Sequence, residues 1–426
     1  MSDYKHELAA VKPDKSCRST AIRTRQPHWL NRSVFGIGLA SFFSDLSHEI
    51  ATTLMPAFLA TMGVAAAWLG LIEGVADGLS SFAKMASGYY TDRLRRRKPV
   101  AIAGYITTTL GTAAFGLATS AWHVLFARSF AWLGRGVRTP VRKALLAGAV
   151  TRMTYGRAFG FERMMDTLGA IAGPASAFFL LSAVNQRYNV LFTLTLIPGL
   201  LAAAMIAFVV KEQKREPVPH ISFNESLRAL PPRFRRLLVA VGLFGAGDFA
   251  HTLLILLAAQ KLTPEFGAGK AVAFATGLYV LHNIFYAAFS MIAGWLADHC
   301  SKSNLLALGY SLAALMACAI IMLPLNLWTL AVIFLIGGVY VAMEETLEDS
   351  LCAELVGEEH HGIAFGTLAT VNGIGDFLSS AVVGALWTMS GTAVAFGYSG
   401  ALFVAGALLV LRTAAGSPAQ RQRSAR

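Results

Sequence analysis

The chain is predicted to be an all-α integral membrane protein, with twelve transmembrane helices arranged as two pseudo-symmetric six-helix bundles. Three observations predict this. Hydrophobic residues make up 55% of the 426 positions and charged residues only 14%, more apolar material than one or two soluble cores consume. About twelve successive apolar stretches reach the roughly 20 residues a helix needs to cross a bilayer core. The two halves also repeat. Gly88-Tyr-Tyr-Thr-Asp92 returns as Gly294-Trp-Leu-Ala-Asp298 and Ala158-Phe-Gly160 as Ala364-Phe-Gly366, both 206 residues on, and Asp45-Leu-Ser-His48 is echoed by Asp248-Phe-Ala-His251.

In chain order the spans fall at 33–61, 66–90, 99–119, 121–145, 157–182, 188–210, 236–260, 271–297, 304–323, 328–351, 362–389 and 393–412. The first holds Asp45, His48 and Glu49 at i, i+3 and i+4, which a helix brings together on one side. The second carries Glu73, Asp77 and Lys84 along one stripe. The fourth sets Arg128, Arg135, Arg138 and Arg142 on one face, and the fifth opens with Glu162, Arg163 and Asp166 one turn apart. Asp248 and His251 lie in the seventh, Glu344, Glu345 and Glu348 in the tenth, Asn372 and Asp376 in the eleventh. The remaining spans rest on apolar length. Pro56, Pro174 and Pro198 predict kinks, because neighbouring helices can satisfy the carbonyls they free. Tails at 1–32 and 413–426 and a linker at 211–235 flank bundles at 33–210 and 236–412.

The formal charge of +12 would suit a nucleic-acid binder, but its distribution does not. Arg23, Arg25 and Arg32 precede the first span, Arg93 and Arg95 to Lys98 follow the second, and Lys211, Lys214, Arg215, Arg228, Arg233, Arg235 and Arg236 fill the middle. The opposite loops carry little beyond Arg187, Lys261 and Lys270. This is the positive-inside pattern. It predicts a multi-pass protein of the cytoplasmic (inner) membrane with both termini in the cytoplasm, a lipid bilayer as partner and no nucleic acid. The N-terminal tail lacks the apolar run of a secretory signal. Cys17, Cys300, Cys318 and Cys352 lack the spacing of a zinc site or disulfide framework. No Walker loop accompanies the bundles. The sequence therefore calls for no cofactor and no resident metal, and for an ion gradient as energy source. One chain holds the entire pathway, so a monomer suffices.

The linker contains Pro217, Pro219, Pro231 and Pro232, and Ser222-Phe-Asn-Glu225 has the form of a capping box for a short helix. That helix is expected either on the membrane surface or as a solvated tether. Six spans, a basic linker and six echoing spans fit a duplicated secondary transporter. Between the second and third spans, Gly88-Tyr-Tyr-Thr-Asp92-Arg93-Leu-Arg-Arg96-Arg97-Lys98 resembles the loop signature of the major facilitator superfamily. Arg95 stands where that signature usually has a second glycine, and the copy from Gly294 to Lys302 keeps Asp298 but little of the basic run. The resemblance implies that the first, fourth, seventh and tenth spans line a central cavity. Gly169-Ala-Ile-Ala-Gly173-Pro174 in the fifth span resembles the antiporter signature of drug-efflux members, without its trailing glycines.

An ionised side chain at the bilayer centre costs about 2.5–3.5 kcal/mol even on the lenient insertion scale, so these charges should face protein or cavity. Asp45, His48 and Glu49 are the candidates for proton exchange, because imidazole titrates near neutrality and a desolvated carboxylate can be brought there. Arg128, Arg135, Asp248 and His251 are the candidates for contacting a small-molecule substrate. Asp92, Arg93, Arg138, Arg142, Glu344 and Glu348 are the candidates for a cytoplasmic gate, since Arg138 and Arg142 are related by the repeat to Glu344 and Glu348, and Lys143 to Asp349. Trp132, Tyr279, His282 and Phe285 are given no chemistry, and His360 and His361 are read as a solvated loop.

The function expected is secondary active transport by alternating access, as a proton-coupled exporter of a small organic compound, with protons as coupling ion. Two histidines and three carboxylates in one cavity keep a divalent-metal or siderophore transporter open. A transporter-like membrane sensor is the alternative from another class. No nucleophile with a positioned base can be named, so an enzyme is not expected.

Overall fold

A computed structural model of the chain describes residues 28–64, 66–212, 216 and 222–414. Most of the tails, with Cys17, Arg23 and Arg25, and the linker residues Lys214, Arg215, Pro217 and Pro219 lie outside them. The helices of the N-terminal half are α1 (Arg32–Thr61), α2 (Ala66–Thr91), α3 (Lys98–Ala113), α4 (Ala121–Gly148), α5 (Tyr155–Ala183), α6 (Tyr188–Leu194) and α7 (Leu196–Ala204). The short α8 (Phe223–Ala229) precedes α9 (Pro232–Gly245), α10 (His251–Phe266), α11 (Ala268–His299), α12 (Lys302–Met322), α13 (Leu327–Leu355), α14 (His361–Ser390) and α15 (Thr392–Ala414). These make twelve spans in two six-helix bundles, with α6–α7 and α9–α10 each forming one interrupted span.

Eight spans meet length and hydropathy requirements outright. The other four are α1, α2 and α4, whose apolar runs are diluted by ionisable side chains, and the interrupted α9–α10. Pro56, Pro140 and Pro174 sit inside α1, α4 and α5. The sixth span breaks at Thr195 and ends in a π turn over Met205–Val209.

The seventh span departs from the continuous helix expected over 236–260. It is unwound between Gly245 and His251, and Asp248 lies in the break. Asp248 and His251 therefore do not share a helical face. Lipid offers no partners for a broken ladder, so the freed groups are satisfied from the side. Tyr398 Oη donates to the Ala246 carbonyl at 3.0 Å, the Ala250 amide donates to Ser380 Oγ at 3.0 Å, and Ser379 Oγ donates to the Asp248 carbonyl.

The capping box forms as expected, with Ser222 and Glu225 exchanging side-chain and backbone bonds at the start of α8. The helix is docked on the end of the second span and is not a free tether. Phe223 packs edge-on against Tyr89 with ring centroids 5.4 Å apart, and Arg93 donates to Ser226 Oγ at 3.4 Å. Glu212 accepts from the Arg97 and Lys98 amides, which caps α3 with a linker carboxylate. The face of the molecule carrying this linker and Arg95–Lys98 is called the basic face below.

The halves pack through α2 against α14 and α5 against α11, with α13 against α5 and α14 against α4. Both main contacts are built from the repeated glycines. A side chain at Gly88 would lie 2.5 Å from the Gly362 carbonyl oxygen, and one at Gly294 would overlap the Gly156 carbonyl. Only glycine permits backbones this close.

Candidate functional site

Closure at the basic face begins with the two repeated aspartates. Asp92, at the end of the second span, accepts from the Gly362 and Ile363 amides at 2.8 Å each, capping α14 in the other half. Asp298 accepts from the Gly156 amide at 2.8 Å and the Arg157 amide at 3.3 Å, capping α5. A carboxylate at a helix N-terminus meets unpaired amides and the positive end of the dipole. Each aspartate also has a guanidinium: Arg97 at 2.9 Å from Asp92, and Arg157 Nε at 2.6 Å from Asp298. Arg93 instead lies over the Tyr89 ring, 3.4 Å from its centroid. Among the described residues, positive φ outside glycine occurs only at Asn185 and Gln186, so Arg95 enters the loop without a left-handed turn.

Behind this closure lies a polar cavity of about 180 Å³, lined by α1, α2, α4, α5, α13 and α14. Asp45 is buried on its α1 wall, with Oδ2 3.8 Å from Arg135 and Oδ1 4.0 Å from Arg138. Oδ1 has no hydrogen-bond partner. His48 and Glu49 do not complete a cluster around Asp45. His48 packs on Trp132, ring centroids 4.3 Å apart, near Thr52 Oγ1, and its Nε2 is 3.6 Å from Glu49.

Arg128 is held by Glu73, Nη2 to both carboxylate oxygens at 2.8 Å, by Thr52 at 3.0 Å and by the Trp132 face at 3.5 Å. Trp132 Nε1 in turn donates to Asp77 at 2.6 Å. Arg135 is the freer cation. Its side chain is 31% exposed, and among the described residues its ion-pair and ring contacts are Asp45 and the Trp132 ring, at 5.4 Å.

The residues expected to form a gate pair differently from the repeat relation. Arg138–Glu344 and Arg142–Glu348 do not pair. Arg138 is fully buried over the Tyr105 ring, 4.3 Å from its centroid. Arg142 turns within its own half to Glu162 at 2.7 Å, Asp166 at 3.3 Å and Ser41 at 2.7 Å. Glu348 accepts from Tyr310 at 2.6 Å and Asn372 at 2.8 Å, and Glu344 is buried in the C-terminal half. The physical reason is proximity. Carboxylates on the adjacent α5 and polar groups on α12 and α14 satisfy these groups before the facing half can. Besides Arg157–Asp298, ion pairs between the halves among the described residues are Lys143 to Asp349 at 2.6 Å, itself a repeat-related pair, and Arg163 to Glu345 at 2.7 Å and to Asp349 at 3.9 Å.

In the C-terminal half Asp248 accepts from Tyr340 Oη at 3.0 Å. His251 packs 4.6 Å from the His282 ring and leaves Nε2 without a partner. Among the described residues no three of His, Cys, Asp and Glu converge as ligands for a metal ion. His361 is not in a solvated loop. It is fully buried between Tyr155 and Phe365, with Nε2 at 3.1 and 3.3 Å from the Ala353 and Val356 carbonyls.

The sequence pattern described as Major Facilitator Superfamily matches residues 37–258 and 237–426. The chain belongs to this superfamily. An uncharacterized MFS-type transporter of Methanocaldococcus jannaschii is 26% identical over 382 residues, covering 90% of this chain and 95% of the relative. Among solved structures, the human organic anion transporter MFSD10 superposes with a TM-score of 0.74 at 16% identity, covering 89% of this chain and 99% of that one. The E. coli fucose:proton symporter FucP does so at 0.74 and 15%, covering 89% and 98%. The protein is accordingly a membrane transporter, not an enzyme.

For this superfamily member, two side chains that line the cavity and one that packs beside its Arg135 were undervalued in the sequence. Trp132 joins His48, Arg128, Arg135 and Asp77. Lys84 lines the cavity with no ion pair among the described residues, and Asp376 does the same from α14. The signal available was the i, i+4 spacing of Arg128 and Trp132, which places a ring beside a guanidinium on one helix face.

Proposed function

We propose that the protein is a proton-coupled exporter of a small organic compound, working by alternating access in a cytoplasmic membrane with the basic face and both termini in the cytoplasm. The observation that carries the antiport reading is the seat of the Gly169-x-x-x-Gly173-Pro174 sequence. Its glycines press the α5 backbone onto α1 at the acidic residues: a side chain at Gly169 would come within 3.2 Å of Asp45 Cβ, and one at Gly173 would overlap Glu49 Cβ. The signature thus braces the two carboxylates assigned to proton exchange.

Asp45 is the exchange group in this reading, because it is buried, faces the cavity and keeps an oxygen free of hydrogen bonds. His48 and Glu49 extend the relay away from it. Arg128, Arg135, Asp248 and His251 contact cargo or hold the groups that do. Asp92 and Asp298, with Lys143–Asp349 and Arg163–Glu345, close the cytoplasmic side. Arg93, Arg138, Arg142, Glu344 and Glu348 serve that closure indirectly, by fixing the ends of α2, α4 and α13. Such a closure has to be modest in energy, since alternating access needs both states within a few kcal/mol.

Symport is the second reading, and the Asp45–Arg135 contact favours it. Protonating Asp45 removes the counter-charge of Arg135 and releases that guanidinium to an anionic cargo. Proteoliposomes loaded with a pH-sensitive dye test both. Proton flow opposite to cargo supports antiport, flow with cargo supports symport, and in either case Asp45→Asn should abolish the coupled proton signal while the protein stays folded. Undiminished gradient-driven transport by that variant would sink the assignment.

A further inference from the structure

Charge in the cavity is divided between the halves. Of its lining side chains, six basic and two acidic come from the N-terminal half, whereas four acidic and no basic come from the C-terminal half. Much of this charge is already satisfied. Arg142 is bound by Glu162 and Asp166, Lys143 by Asp349, and Arg163 by Glu345. Glu348 is hydrogen-bonded by Tyr310 and Asn372. What remains on one wall is three cations, Arg135, Lys84 and Arg138, with the carboxylate of Asp45, and on the other the carboxylate of Asp376; Arg138 is buried over the Tyr105 ring, 4.0 Å from Asp45, which leaves Arg135 and Lys84 as the cations open to a cargo. Among the described residues Arg135 makes no side-chain hydrogen bond, its contact with Asp45 being 3.8 Å and therefore beyond hydrogen-bond range. Lys84 and Asp376 line the same cavity without a side-chain hydrogen bond or ion pair among the described residues.

A singly charged cargo fits this arrangement poorly. An anion bound at Arg135 and Lys84 would bring its charge toward four carboxylates, and a cation bound at Asp376 would face the excess basic charge of α2 and α4. Like charges in a partly desolvated site cost more than they would in water. A molecule with one group of each sign meets both walls with opposite charge and needs no other counter-ion. It would also bridge α2 and α4 to α14, so its binding would favour the state in which the halves have closed around it.

We infer that the cargo is a small zwitterion, with its anionic group held by Arg135 and Lys84 and its cationic group by Asp376. The inference rests on the transporter reading but not on the direction of proton flow. The test uses the purified full chain and matched sets of probes: β-alanine, 4-aminobutyrate, 6-aminohexanoate and Ala-Ala, each beside its N-acetyl form, which is only an anion, and its C-terminal amide, which is only a cation. Affinity is read by calorimetry and by the shift in Tm on ligand addition. At least one zwitterion should bind about tenfold or more tighter than both of its singly charged forms, the factor set by loss of one charge pair.

Asp376→Asn should shrink the preference over the N-acetyl anion to about threefold or less while that anion still binds as to the wild type, which shows the variant folded. Arg135→Gln should do the corresponding thing for the amide, and Lys84→Met should weaken the zwitterion without changing the amide. An anion or cation bound as tightly as its zwitterion, or no zwitterion bound by the wild type, would overturn the inference. Counterflow in liposomes separates the two readings. Binding with the expected preference but no flux removes transport and leaves the zwitterion site, whereas flux of singly charged compounds without that preference removes the site and leaves transport.

Discussion

Arg142 and Arg128 show how similar residues on one helix carry different energetic weight. Arg142 is enclosed with Glu162, whose side chain is 1% exposed, so removing the guanidinium strands a carboxylate in a medium that cannot solvate it. Arg142→Met should therefore cost about 3–5 kcal/mol, seen as a large fall in Tm in detergent. Adding Glu162→Gln should recover part of it. Arg128 faces Glu73, whose side chain is 33% exposed. Removing Arg128 therefore strands a less enclosed carboxylate, and the coupling should be smaller than that of Arg142 with Glu162, to be measured by a double-mutant cycle of Arg128→Gln and Glu73→Gln. Equal coupling energies for the two pairs would refute this account of burial.

At the scale of elements, the contacts between halves are helix ends capped in trans. Asp92 serves α14 and Asp298 serves α5 through the same geometry. Asp92→Asn and Asp298→Asn should each weaken closure at the basic face by about 1 kcal/mol. The effects should add, since the two caps sit on different helices, α14 and α5. Spin labels on the basic-face ends of α2 and α14 would report it as a population moved to longer distances. Gly88→Val should act more strongly, because its side chain would meet backbone that cannot yield. An unchanged distance distribution in Gly88→Val would show that this approach does not hold the halves together. The interrupted seventh span depends on its neighbours in another way. Tyr398→Phe leaves the Ala246 carbonyl without its donor, at a cost of about 1–3 kcal/mol in Tm measurements.

Over the whole molecule, the bridges Lys143–Asp349 and Arg163–Glu345 tie the halves beside the cavity. Reversing the first by Lys143→Asp alone should favour opening at the basic face and impair transport. The double variant Lys143→Asp with Asp349→Lys should restore much of the loss, because the attraction depends on sign. Failure of the swap to rescue, with both proteins folded, would assign these residues to something other than closure.

Much of this architecture was legible in the sequence, because bilayer thickness fixes span length and the 206-residue echo exposes the duplication. The repeated Gly88, Asp92 and Gly160 positions could be found as an echo. Their meaning could not, since Asp92 meets its partners 270 and 271 residues away along the chain. The α1 charges were visible as buried charges for the same reason: lipid tolerates none without a purpose. Which partner each acquired was decided by packing. Arg138 and Arg142 turned to their own half, Asp248 moved into a break that α14 and α15 make tolerable, and Lys84 and Asp376 were left facing one cavity. The sequence by itself determined a multi-pass membrane protein, the number of spans and the duplication, because these follow from hydropathy and local pattern, and its loop motif resembled the superfamily that the family match shows. The pairing of charges and the division of the cavity between a basic and an acidic wall belong to the tertiary structure, because electrostatic attraction acts on distances in space that no spacing along the chain prescribes.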